Sequence, residues 1–130
     1  PKLLKTKKLE KPADLRHHVL LQYDDPDIRH PWLHWKTWLE VAGIAELRPA
    51  ATLSLSGFEQ IIPAAVAGHG VALGRSPLVK DLLAEKKLVA PFKTTADPAR
   101  AYFVIASKAA ASRAEVHEFV EWLKGEAAKR

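Results

Sequence analysis

The chain has 130 residues, one domain's worth of polypeptide. Its residues are 48% hydrophobic and 27% charged, the balance of a globular protein, which excludes disordered, collagen-like and mucin-like classes. It has no cysteine, so a disulfide scaffold, a thiolate metal site and a cysteine nucleophile are excluded, and its net charge of +5 is concentrated at one end. Five lysines (Lys2, Lys5, Lys7, Lys8 and Lys11) less Glu10 supply +4 of that charge, leaving +1 for residues 12–130. The leader at 1–11 therefore reads as a solvated basic segment and not as a DNA-binding stripe. No apolar run approaches the ~18 residues of a membrane helix, and no signal-peptide pattern opens the chain.

The elements alternate. Pro12 to His17 reads as a short helix with proline near its first turn, and His18 to Tyr23 as a buried strand stopped by Asp24, Asp25 and Pro26. Trp32 to Ala42 is predicted helical. Trp35, Trp38, Leu39 and Ala42 form its apolar face, and Gly43 is the left-handed residue just past its end. Ala51 to Leu55 is a strand. Ser56 and Glu59 have capping-box spacing and open a helix to about Ala67, with Pro63 expected to kink it or delay its start. Gly68-His69-Gly70 closes that helix, and Val71 to Gly74 is a short strand. Ser76-Pro77 reads as the N-cap and first residue of a helix to about Lys86. Leu88 to Ala90 and Ala101 to Ala106 read as strands. Ser112 and Glu115 form a second capping box before the stripe Val116, Phe119, Val120 and Leu123. Strands alternating with helices predict an α/β fold, a mainly parallel sheet flanked by helices.

Catalytic signatures are missing. There is no phosphate-loop or dinucleotide glycine pattern, and Gly68-His69-Gly70 serves better as a helix stop. No nucleophile elbow surrounds any serine. His30 and His34 are four apart, but Pro31 separates them and no H-E-x-x-H arrangement exists, so no metal site is expected. Asp24, Asp25 and Asp27 lack the spacing of a calcium loop and read as a strand-ending turn. His17 and His18 are expected to cap the short helix or lie exposed. The tryptophans are expected in the core, with Trp32 nearest a cleft rim. Catalytic residues, metal ligands and cofactors are therefore all expected to be none.

Two junctions do converge on chemistry. Ser54, Ser56, Gly57 and Phe58 lie where a strand's carboxyl end meets a helix, and Gly74, Arg75 and Ser76 form a second junction of the same kind. In open α/β sheets ligands bind beyond the carboxyl ends of strands, and helix N-termini favour anions. Arg75 adds a guanidinium suited to a carboxylate. The serines also serve as plain caps, and the two roles are compatible. Without a general base, this is a binding cleft for a small anionic metabolite, an amino acid or an organic acid.

The order of motifs resembles the effector-binding domain of LysR-type transcriptional regulators, nearest the glycine-cleavage activator branch. The resemblance rests on Lys11-Pro12-Ala13-Asp14-Leu15 leading to His18-Val19-Leu20-Leu21, on Trp35 to Gly43, on Ala64 to Gly74 (AAVAGHGVALG), and on Leu88 to Phe92 followed by Ala101 to Val104. It implies a type II periplasmic-binding-protein-like fold: two α/β lobes joined by crossover strands around a small-molecule cleft. Residues 12–97 would be the second lobe. Residues 98–130 would hold a returning crossover strand and a C-terminal helix of the first lobe. It further implies a non-enzymatic, cytoplasmic regulator that forms dimers or tetramers and touches DNA only through an N-terminal helix-turn-helix that this sequence lacks. A fragment of this kind is expected to pair, swap segments or need its missing half. The alternatives are a fragment of a periplasmic-type solute-binding protein, which would require a secretory signal, and a dehydratase-like lyase, which would require a base in the cleft.

Overall fold

A computed structural model describes residues 1–27, 29–76, 78–94 and 103–128. The chain divides into two compact units, Pro1–Pro98 and Ala99–Arg130.

The first unit is built on a three-stranded parallel sheet in the order β2-β1-β3, with β1 at Val19–Tyr23, β2 at Ala51–Leu55 and β3 at Val71–Ala72. Val19 to Tyr23 pair with Ala51 to Leu55 in order, and Leu20 and Leu21 pair with Val71 and Ala72. Helix α1 (Trp35–Val41) lies between β1 and β2, and α2 (Phe58–Ala67) between β2 and β3. A further short helix, α3 (Lys80–Ala84), follows. Successive strand residues point to opposite faces. Leu20 and Leu21 are exposed by only 1% and 2%, so β1 is covered on both sides. Leu20 joins Leu15, Trp35, Trp38 and Leu39 in the main core. β2 is different. Ala51 to Ser54 are exposed, and among the described residues its outer edge pairs with no strand.

Helix ends follow local chemistry where glycine sets them. Gly68 closes α2 at φ +91°, and Gly43 follows α1 at φ +71°. Gly70 is required for another reason, because a Cβ there would lie 2.7 Å from the Val19 carbonyl oxygen. α2 runs through Pro63 as one helix.

Several expected elements differ. The 32–42 helix is split: a 3-10 turn at Pro31–Leu33 ends in His34, whose extended backbone starts α1 only at Trp35. Pro31 sets that turn, and Gln22 Oε1 accepts the Trp35 backbone amide at 3.1 Å, which anchors the helix start to β1. His18 takes the cap position after the short helix Pro12–His17, its amide donating to the Leu15 carbonyl at 3.0 Å, and it is buried, with Nε2 2.9 Å from the Lys8 carbonyl, while Leu9 of the basic leader enters the core. β3 ends at Ala72, two residues early. Leu88 to Ala90 form no strand and leave Val89 exposed.

In the second unit, α4 (Lys108–Ala111) precedes α5 (Ala114–Ala128). The expected strand at 101–106 is not formed at Phe103 to Ala106, and Ala101 and Tyr102 lie outside the described residues. A strand needs neighbours for its amides and carbonyls, and none stands beside this segment among the described residues. Phe103 is 82% exposed and Ile105 92%. The Ser112 capping box is also absent. Ser112 ends α4 and donates its hydroxyl to the Ala109 carbonyl, while Glu115 pairs with Arg113.

Trp35 Nε1 donates to the Leu21 carbonyl at 2.9 Å inside the core. Removing that donor strands a buried acceptor. Trp35→Phe should therefore lower unfolding free energy by about 1–3 kcal/mol, read from the denaturant midpoint at unchanged slope.

Candidate functional site at the carboxyl edge of the sheet

Because all three strands are parallel, their carboxyl ends lie on one edge: Tyr23, Leu55 and Ala72. The chain leaves β1 to one side for β2, then crosses to the other side for β3. Such a reversal of direction opens a crevice outside the carboxyl ends.

The two junctions predicted from sequence lie on this edge and touch each other. Ser54, in β2, is exposed and registered with Gln22. Phe58 begins α2. The Arg75 guanidinium carbon sits 5.2 Å from the centre of the Phe58 ring, a cation–π contact that spans from the β3 side to the β2 side. Gly74 and Ser76 flank Arg75 and are exposed.

Neither serine caps a helix. Gly57 holds the cap position of α2 with extended backbone and no side-chain cap, which leaves Ser56 one residue outside. The Glu59 carboxyl folds back into the place a Cβ on Gly57 would occupy, so the helix start already has an anion beside it. Ser76 lies four residues before α3, which begins at Lys80 after Val79. Val79 is buried and packs against Gly74, where a Cβ would meet Val79 Cγ2 at 3.2 Å. That packing bends the chain before the helix can start. Pro77 lies outside the described residues.

The central strand contributes groups from the turn Asp24 to Asp27 that follows it. Asp24 is exposed, and its amide donates to the Leu55 carbonyl at 2.9 Å, tying the ends of β1 and β2 together. Asp25 is only 6% exposed. Its Oδ2 accepts the His30 backbone amide at 2.6 Å and lies 3.2 Å from His30 Nδ1 and 3.8 Å from His34 Nε2. An ionised carboxylate only accepts, so Nδ1 of His30 carries the proton. The His30 ring also makes edge contacts with Tyr23 (6.2 Å between centres) and Trp32 (5.3 Å). No sequence spacing advertised this clamp, which joins residues five and nine apart through a loop. No group of His, Asp and Glu among the described residues is arranged to hold a metal.

Another hollow, of about 770 Å³, lies elsewhere, between Ala13-Arg16 and the loop Gly43–Arg48 that leads into β2. It is open, and its lining holds two arginines, Arg16 and Arg48, and two glutamates, Glu40 and Glu46, so its formal charges offset one another. The carboxyl edge, where positive and negative groups are segregated onto different strands, is the better candidate.

Burial pushes the Asp25 carboxyl up, but the amides of His30 and Arg29 and the His30 imidazole together outweigh it and hold it below its ordinary value. A carboxyl lowered on folding stabilises the native state above its unfolded pKa near 4, and that contribution is lost as pH falls through the lower folded value. Thermal unfolding from pH 5.5 to pH 2.5 should therefore show a steeper acid loss in the native protein than in Asp25→Asn. Equal slopes would remove Asp25 from the acid transition.

Against known proteins, a family model for the LysR substrate binding domain matches residues 2–128. The Glycine cleavage system transcriptional activator of Escherichia coli (strain K12) is 26% identical over 122 residues, which is 94% of this chain and 38% of that protein. The HTH-type transcriptional activator AmpR of Enterobacter cloacae is 29% identical over 118 residues, 88% of this chain and 38% of that protein. The chain thus spans well under half the length of these relatives. No solved structure matches it significantly. With almost every residue inside the family match, and with the parallel α/β sheet that a type II periplasmic-binding-like fold requires, the chain belongs to the LysR substrate binding domain family.

Proposed function

We propose that the chain is the effector-sensing part of a LysR-type transcriptional regulator, in which a small molecule bound at the carboxyl edge alters how the whole protein engages DNA. Both relatives named above are transcriptional activators. The observation that carries the reading is the Arg75–Phe58 contact, which brings the two junctions to one place. There the guanidinium lies over the ring face, and a guanidinium is suited to bidentate recognition of a ligand carboxylate. Ser54, Ser56, Gly57, Gly74 and Ser76 supply the surrounding hydroxyls and amides, so the ligand is a small carboxylate.

In this reading residues 12–97 form the second lobe, and residues 98–130 a crossover and a helix of the first lobe. The leader at 1–11 enters from the first lobe, and DNA is bound by a separate domain. The role is regulatory and not enzymatic, in the cytoplasm. No helix among the described residues is long and apolar enough to cross a membrane. Self-association fits the open outer edge of β2 and the exposed Leu53 on it.

The test screens carboxylate metabolites against the intact regulator by thermal shift and takes the best binder forward. Arg75→Ala should weaken that binder's affinity and its transcriptional dose response about tenfold or more, the equivalent of one charge-assisted hydrogen bond, in a protein that still unfolds cooperatively without ligand. An unchanged dose response would remove Arg75 from the site.

A further inference from the structure

The opposite edge of the sheet, where the strands begin, carries a charged surface of its own. Residues 1–18 hold Lys2, Lys5, Lys7, Lys8, Lys11 and Arg16 against Glu10 and Asp14, which is +4 of the chain's +5. A loose leader would let those charges spread into solvent. This one is fastened. Leu9 is buried in the core, and the Lys8 carbonyl lies 2.9 Å from Nε2 of the buried His18. Asp14 Oδ2 accepts the amides of Glu10 and Lys11, each at 3.0 Å. The Ala50 amide, just before β2, donates to the His18 carbonyl, just before β1, at 3.2 Å. The fold thereby gathers Lys7, Lys8, Arg16 and His17, all exposed, around an open hollow of about 510 Å³ that Asp14 and Ala50 complete.

Two of the cations are braced. Lys7 Nζ donates to the His17 carbonyl at 3.1 Å, and Arg16 Nε to the Ala13 carbonyl at 2.9 Å. Each keeps N–H donors beyond the one it uses. The carboxylate in the lining, Asp14, has one oxygen committed to backbone amides. Glu10 stands 3.7 Å from Lys8, but both side chains are largely exposed, so that pairing is weak. Lys7, Lys8 and Arg16 less Asp14 leave the lining at a formal +2. Like charges held around one hollow repel, and a bound anion removes that repulsion. A carboxylate brings one charge and a single pair of oxygens. A phosphate monoester brings close to two charges and three strong acceptor oxygens, which balances this lining.

We propose that the hollow at the amino edge of the sheet is a binding site for the phosphate group of a small phosphate monoester, held by Lys7, Lys8 and Arg16. It lies at the other end of the strands from the candidate effector edge and does not rest on the effector-sensing reading.

The experiment is calorimetric titration of the intact regulator, at fixed ionic strength, with glycerol phosphate and adenosine monophosphate, each compared with glycerol or adenosine. At least one ester should bind about tenfold or more tighter than its parent, and its affinity should fall as salt rises. Lys8→Gln and Arg16→Gln should each weaken that ester about threefold or more, while Arg16→Lys, which keeps the charge, should lose less than Arg16→Gln. A merely structural role would not follow the charge. Among the described residues the Lys8 side chain touches only Glu10, so Lys8→Gln keeps the test readable if the Arg16 variants fold poorly. The proposal is overturned if neither ester binds more tightly than its parent, or if an ester binds and the variants leave its affinity unchanged. It is also overturned if the variants weaken only the affinity for a short non-operator DNA duplex, which would assign the surface to nucleic acid.

Discussion

β1 has a hydrogen-bonded strand on each side and a packed layer over each face, and every group at the carboxyl edge takes its position from it. The register of β2 against β1 places Leu55 beside Tyr23, and the Asp24 amide extends that ladder by one more bond. Gly70 lets β3 approach so closely that a single Cβ would strike the Val19 carbonyl. α1 is fastened to the same strand twice, by the Trp35 amide on Gln22 and the Trp35 indole on the Leu21 carbonyl. A strand held this way is a rigid base, and loops on a rigid base are where binding groups are best positioned.

The loops at that edge differ in how they are held. The loop after β1 is pinned by a buried carboxylate that accepts the backbone amide and the imidazole of His30, with His34 Nε2 at 3.8 Å. The loop after β3 is pinned by apolar packing of Val79 on Gly74 and by Arg75 over Phe58. Burial of Asp25 opposes its ionised form, yet the donors around it prevail, so the charge stays and fixes the loop. The polar clamp thus orients His30, while the cation–π contact joins elements that are far apart in sequence.

Much of this was legible in the sequence where the cause is local. The continuous run from Val19 to Tyr23 betrayed a doubly covered strand. Gly43 and Gly68 betrayed helix ends, because left-handed backbone selects glycine. The junctions at Ser54–Phe58 and Gly74–Ser76 followed from the rule that parallel strands end together. What stayed hidden depends on side chains meeting through space. Ser56 and Ser76 have cap chemistry, but Glu59 folding onto Gly57 and Val79 packing on Gly74 moved both helix starts. Asp25 looked like one more turn aspartate until the loop brought His30 and His34 onto it. The partner of the buried His18 stayed hidden, because it is the Lys8 carbonyl in a leader whose lysines disguise the buried Leu9. The apolar run Phe103 to Ala106 has strand composition, but composition supplies no partner for its backbone.

The central claim is that a ligand binds where the strands end and not where they begin. Amide chemical-shift mapping of the intact regulator, titrated with the best-binding carboxylate from the thermal-shift screen, tests it directly. The account predicts that shifts concentrate at Asp24, Ser56, Gly57, Gly74 and Arg75. Shifts concentrated instead around Ala13, Arg16 and Glu46, at the hollow on the opposite edge, would contradict it.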